Sequence, residues 1–222
     1  MSHRNTLIDF LELEEIYTQS ESPFHRFYRI KSIAERCKRC RLHKTRTQVV
    51  FGFGNITSRV MVIGEAPGGN EDIYGKPFIG KAGERFSQIL REYGIDRDRD
   101  FYITNVVKCR PPNNRDPKED EIMACEVYLK AQIEIIKPKL FLALGRYAAK
   151  WLLGLKNTPQ MREIRGKILT SRFEVPFLVT YHPSTVDHAR NANWREFAQN
   201  AIKEDLRLFS DKIKEIKAKG YI

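Results

Sequence analysis

No apolar run in the 222 residues approaches the roughly 18 that a membrane span requires. A basic, apolar, cleavable leader is also missing, because Asp9, Glu12, Glu14 and Glu15 follow closely on Met1. A membrane or exported protein is therefore not expected, and the cytoplasm is the expected location. Glycine (13) and proline (10) are too sparse for a low-complexity chain, and no internal repeat is visible. Cysteine is scarce, with four in all. Acidic side chains are in deficit: 28 Asp and Glu face 39 Lys and Arg, leaving a net charge of +11. Such a surplus favours a polyanionic partner, and nucleic acid is the first candidate. The length suits a single domain with a self-sufficient core.

From Val60 onward, short apolar runs alternate with helical patterns, the order expected of a parallel sheet with crossover helices. Four strands are expected, at 60–63, 101–107, 140–144 and 176–180; each is short, mostly apolar and rich in β-branched or aromatic residues. Helices are expected at 82–93, 117–137, 146–153 and 193–217, with apolar stripes such as Ile122, Cys125, Leu129, Ile133 and Ile136 in the second. Residues 1–32 read as a helical arm, broken near Ser22 and Pro23, and residues 33–222 as the main domain. The chemically informative residues cluster just after the strands: Gly64 to Gly68, Asn105 to Cys109, Gly145, and His182 to Ser184. In open parallel sheets, ligands bind at that carboxyl edge, so four distant segments should converge on one cleft.

Cys37 and Cys40 form a C-x-x-C pair, and Cys109 and Cys125 follow far downstream. Without an export signal disulfides are disfavoured, whereas four thiolates can hold a tetrahedral zinc or a [4Fe-4S] cluster. Zinc ribbons usually repeat the C-x-x-C pair, and the wide split of Cys109 and Cys125 favours a cluster. Lys38, Arg39, Arg41, Lys108 and Arg110 surround the cysteines in sequence and would offset thiolate charge. Residues 75–82 (GKPFIGKA) nearly match a phosphate-binding loop. They fail it because Ala82 has no hydroxyl and no strand directly precedes the loop. Gly52-Phe53-Gly54 is a weaker match still.

Taken together, Cys37-x-x-Cys40, Gly64-Glu65-Ala66-Pro67-Gly68 with Glu71 and Asp72, Gly75-Lys76-Pro77-Phe78, Thr104-Asn105 before Cys109-Arg110-Pro111-Pro112, Cys125 and His182-Pro183-Ser184 resemble the family 4 uracil-DNA glycosylases over about residues 33–208. The resemblance implies an α/β fold, a three-layer α/β/α sandwich around a four-stranded parallel sheet. It also implies a [4Fe-4S] cluster on Cys37, Cys40, Cys109 and Cys125, and monofunctional hydrolysis of the N-glycosidic bond of uracil in DNA. Thermophiles often carry this family, and the 30% charged residues agree. Two rivals are a non-enzymatic cluster-containing lesion sensor and a variant that crosslinks to the abasic sugar. The latter carries a histidine after its second strand, which residues 110–117 (RPPNNRDP) lack.

By the same resemblance Phe78 stacks on the base, and Asn105, a costly buried amide at a strand end, reads its O4 and N3 edge. A neutral His182 donates to O2 of the departing uracil. Ala66 stands where the family 1 enzymes carry an aspartate that positions water, so catalysis is expected to lean on leaving-group stabilisation, with the attacking water held by Glu65 or by less conspicuous groups and uracil gripped by the backbone of Glu65, Ala66 and Pro67. Glu71 is expected to wall off the 5-methyl of thymine. Lys81, Arg110, Ser184 and Arg190 are expected to face DNA, with Val186 the one apolar candidate for insertion between bases. Residues 4–11 (RNTLIDFL) loosely resemble a sliding-clamp-binding peptide anchored by Leu7, Phe10 and Leu11; an amphipathic helix packed on the domain is the plainer alternative. A monomer is expected.

Overall fold

The computed structural model describes residues 22–220. The four expected strands form the centre of one sheet: β2 (Val60–Gly64), β3 (Tyr102–Asn105), β4 (Leu140–Leu144) and β6 (Pro176–Thr180), parallel in the order β3-β2-β4-β6. Two short antiparallel edge strands complete it, β1 (Phe53–Gly54) beside β3 and β5 (Ile168–Thr170) beside β6. The sheet is thus six-stranded and mixed, with the expected four-stranded parallel sheet as its core. The glycine-flanked Phe53 belongs to an edge strand, not to a phosphate loop.

Strand alternation explains the three layers, because successive side chains point to opposite faces. Met61, Ile63, Phe141, Ala143, Phe177 and Val179 join one apolar cluster, whereas Val60, Val62, Leu140, Leu142, Leu144 and Leu178 join the other. The first is covered by α1 (Pro23–Glu35), α4 (Glu119–Ile136) and α5 (Arg146–Leu153), and the second by α3 (Lys81–Glu92) and α7 (Ala192–Ala218). Two short helices, α2 (Gly69–Tyr74) and α6 (Met161–Ile164), sit in the connections. No helix among the described residues is long and apolar enough to cross a membrane.

Local chemistry sets the element ends. Ser22 caps α1 by accepting from His25 N–H, with Pro23 in the first turn. That helix runs through the expected division between residues 32 and 33; Phe27 and Ile30 before it, and Ile33 and Ala34 after it, bury in the same core. Leu7, Phe10 and Leu11 lie outside the described residues. Pro117 precedes α4 rather than opening it, because the Glu121 carboxylate accepts from Lys118 N–H at 2.8 Å and starts the helix at Glu119. The second central strand stops at Asn105, short of the expected 107. Val106 and Val107 still donate to the carbonyls of Gly64 and Glu65, at 2.9 and 3.1 Å. This draws the chain after β3 across the loop after β2, so that both strand ends serve one site.

Candidate active site

A cleft of about 860 Å³ opens at the carboxyl edge of the parallel strands, where Glu65, Asn105, Gly145 and His182 all line it. Gly64 makes its floor possible. A Cβ there would lie 2.4 Å from Asn105 Oδ1 and 2.5 Å from Phe78 Cζ, so only glycine lets the amide and the ring meet across the end of β2. Asn105 is 1% exposed, and its Oδ1 has no hydrogen-bond partner among the described residues. An orphaned buried acceptor costs about 1–3 kcal/mol, which makes it a mark of a ligand position.

Phe78 is buried with φ at +55°, an uncommon backbone for a non-glycine residue. Several groups fix it. The Arg97 guanidinium donates to the carbonyls of Phe78 and Pro77 at 2.6 and 2.9 Å. Glu71 Oε1 accepts from the N–H groups of Ile79 and Gly80 at 3.1 and 3.0 Å. The N–H groups that a phosphate would need in the loop at residues 75–82 are therefore taken by the chain's own carboxylate. Held this way, the Phe78 ring lies 5.6 Å from the His182 imidazole, centroid to centroid.

His182 stands half-buried in the cleft wall. Its Nδ1 accepts from Ser184 N–H at 3.3 Å and lies 2.7 Å from Ser184 Oγ, so in the neutral ring the proton sits on Nε2. Burial lowers its pKa to about 4, with His188 adding to the effect and Glu71 opposing it. Arg85 on α3 steadies this loop with a forked contact to Asp187 at 3.0 and 2.7 Å and a bond to the Pro183 carbonyl at 2.9 Å. On the other wall, burial and the charge of Asp116 raise the Glu65 pKa to about 7, against the pull of Arg146. Asp116 and Arg146 pair with each other at 2.7 Å.

Comparison with known proteins now adds to this geometry. The Uracil DNA glycosylase superfamily matches residues 51–207. A type-4 uracil-DNA glycosylase of Sulfurisphaera tokodaii is 43% identical over 182 residues, 79% of this chain and 81% of that one. Another, of Saccharolobus solfataricus, is 42% identical over 186 residues, 81% of each chain. A type-5 uracil-DNA glycosylase of Pyrobaculum aerophilum is 30% identical over 171 residues, 70% of this chain and 72% of its own. The chain belongs to the type-4 uracil-DNA glycosylases.

In this type-4 member the expected site residues divide. Glu65, Ala66, Pro67, Glu71, Phe78, Asn105, His182, Lys81 and Ser184 all line the cleft. Ser184, expected to face DNA, lines the cleft and directs its hydroxyl to His182. Glu71, expected to wall off a methyl group, spends one oxygen on the Phe78 loop. Arg110 lies beside the cleft and donates to Asn114 Oδ1 at 2.8 Å, and Arg190 is exposed outside its lining. Val186 is not an insertion wedge: it is 4% exposed and packed in the core with α7. Arg97, Arg85, Asp116 and Arg146 escaped sequence reasoning. Arg97 sits in a DRDRD run that reads as solvated loop, and the others pair across 30 or more residues.

Cys37, Cys40, Cys109 and Cys125 line one small cavity. Among the described residues no three Cys, His, Asp or Glu side chains are placed to hold a metal ion, although the four thiols share this one lining. Donors already face them: Arg39 N–H to Cys37 Sγ at 3.4 Å, Lys108 N–H to Cys125 Sγ at 3.2 Å, and the Arg46 guanidinium to Cys109 Sγ at 3.1 Å. Burial raises the Cys109 thiol to about 11 and the Cys125 thiol to about 12, and thiolates there call for a cationic centre. Lys108, one of the residues expected to offset thiolate charge, is 1% exposed. Its Nζ contacts Thr104 Oγ1 at 2.6 Å, the Asn105 carbonyl at 2.8 Å and Gln132 Oε1 at 2.8 Å.

Proposed function

We propose that the chain flips uracil out of DNA and hydrolyses its N-glycosidic bond, releasing uracil and leaving an abasic site. The observation that carries this reading is the buried, unpartnered Asn105 Oδ1 beside the Phe78 ring. Uracil fits that corner: its N3–H donates to Oδ1, its O4 accepts from the amide N–H, and its face stacks on Phe78. The backbone of Ala66 and Pro67 closes the edge. His182 Nε2–H donates to uracil O2, and a ring with a pKa of about 4 stays neutral near neutral pH and stabilises the anion without first losing a proton.

As the C1′–N1 bond breaks, its electron pair leaves with uracil. Water adds its oxygen to C1′, and its proton passes to Glu65, whose pKa of about 7 suits an acceptor near neutral pH. Glu71 acts through the Phe78 loop, so any rejection of thymine's methyl group rests on where that ring is held. Lys81 at the cleft rim, together with Arg110 and Arg190 beside it, meets DNA phosphates. Cys37, Cys40, Cys109 and Cys125 would hold a [4Fe-4S] cluster, which supplies a covalent cross-link between distant segments.

His182→Ala tests this reading. Single-turnover uracil release should fall about 10²-fold or more, the usual loss when one oriented donor to a developing anion is removed, while DNA binding stays near wild type. Near-normal turnover would remove His182 from the chemistry, and absence of uracil release by the wild-type chain would overturn the function.

A further inference from the structure

At about 860 Å³ the cleft lies towards the upper end of the roughly 300–1,000 Å³ range of small-molecule sites, more than one pyrimidine ring requires. Its wall beyond His182, away from Asn105, is aromatic: Tyr181 and Trp194 both line it. The aromatic surface then continues outward. Trp194 meets Tyr181 edge-on, with centroids 6.0 Å apart, and lies 5.2 Å from Phe197 with the planes tilted by 30°. Phe197, three residues along α7, is 45% exposed. Tyr181 itself is buried and backs this surface from the core side. Arg190 and Arg195 are exposed near Trp194 in the chain and offer charge to a phosphate backbone.

We infer that Trp194 and Phe197, backed by the buried Tyr181 ring, form a stacking subsite for the base next to the target uracil on an unpaired strand. The inference rests on the uracil-DNA reading above. An aromatic face stacks on any base, which makes such a platform tolerant of sequence. A neighbour inside a duplex is already stacked and paired, and gains nothing from the platform. The subsite therefore adds to the processing of single-stranded DNA and not to that of the duplex.

The test uses single-stranded and duplex oligonucleotides in which the nucleotide on the 5′ or the 3′ side of uracil carries a base or is an abasic spacer. On one of the two sides, the spacer should lower kcat/KM on single-stranded DNA about 10-fold, the loss expected for one base–aromatic contact. Phe197→Ala should lose the same factor on base-bearing single strands, lose nothing further on the spacer, and keep its duplex rate. A binding signal runs in parallel. The chain has two tryptophans, Trp151 and Trp194, and Trp151 is buried. In a Trp151→Phe background, non-cleavable uracil DNA should quench Trp194 emission when the neighbour has a base, and should not when it is a spacer. Equal losses on single strands and duplex, or no dependence of rate and quenching on the neighbouring base, would overturn the subsite. Should the wild type release no uracil from either form, the glycosylase reading fails, while neighbour-dependent quenching would still report stacking.

Discussion

In the proposed function one side chain, that of Asn105, carries the choice of base. Its Oδ1 has no partner among the described residues, so a ligand with a donor at N3 is favoured there, whereas cytosine presents an acceptor at N3 and a donor at N4. Asn105→Asp would offer only acceptors when ionised. Uracil excision should fall strongly, about 10²-fold or more, and the uracil-over-cytosine ratio should narrow, as measured by release of each base from matched oligonucleotides. Glu65 makes a second prediction, with a definite sign. Its folded pKa of about 7 lies above the ordinary 4.5, so the folded chain holds a proton that the unfolded chain has lost between those values. Stability from this group is full below about pH 4.5 and is lost as pH rises through about 7, by up to about 3 kcal/mol. Activity runs the other way, rising towards the ionised base. Glu65→Gln should flatten that rise in the pH–rate profile and raise Tm above pH 7. A mutant that keeps the wild-type profile would show that another group holds the water. That Asn105 and His182 line the cleft was legible because both stand at the carboxyl ends of central strands, where a buried amide and a pre-proline histidine have few structural uses. The shift at Glu65 was not, because Asp116 and Arg146 reach it only through the fold.

Among the elements, those with a strong physical signature were read correctly. β4 and β6 are apolar runs buried along most of their length, and their bounds agree with expectation to the residue. β1 and β5 have two and three residues, and none of the five is fully buried, so no periodicity announced them. Val186 misled for a related reason: a single apolar residue in a polar loop carries no periodicity, and only the packing of α7 shows that it belongs inside. The end of β2 gives the sharpest test at this scale. Gly64→Ala adds one methyl group where Asn105 and Phe78 already meet, yet β2 itself tolerates alanine, since Gly64 is not among the positive-φ glycines. The variant should fold, with circular dichroism unchanged, and lose nearly all excision. Wild-type activity would mean that Phe78 moves away freely and that Arg97 and Glu71 do not hold it.

Over the whole molecule, the four-cysteine cavity joins the turn after α1 to the segment after β3 and to α4. The order of the cysteines along the chain already tells which segments a shared centre would unite, the N-terminal arm with the second central strand and the helix after it, and the four thiols do line one cavity. If the cavity holds a [4Fe-4S] cluster, elemental analysis should return about four irons per chain and the protein should be brown. Removing the iron, or making Cys125→Ala, should cost roughly 3 kcal/mol by analogy with a long-range cross-link, which lowers Tm by about 10 °C for a chain of this length. Zinc in place of iron would exclude the cluster, and an unchanged Tm after metal removal would exclude the cross-link.

Lys108 touches both places at once. Its backbone N–H serves Cys125 Sγ, while its ammonium group serves the carbonyl of Asn105. One buried lysine therefore ties the main chain at the floor of the cleft to the wall of the cysteine cavity, so the two places share a support.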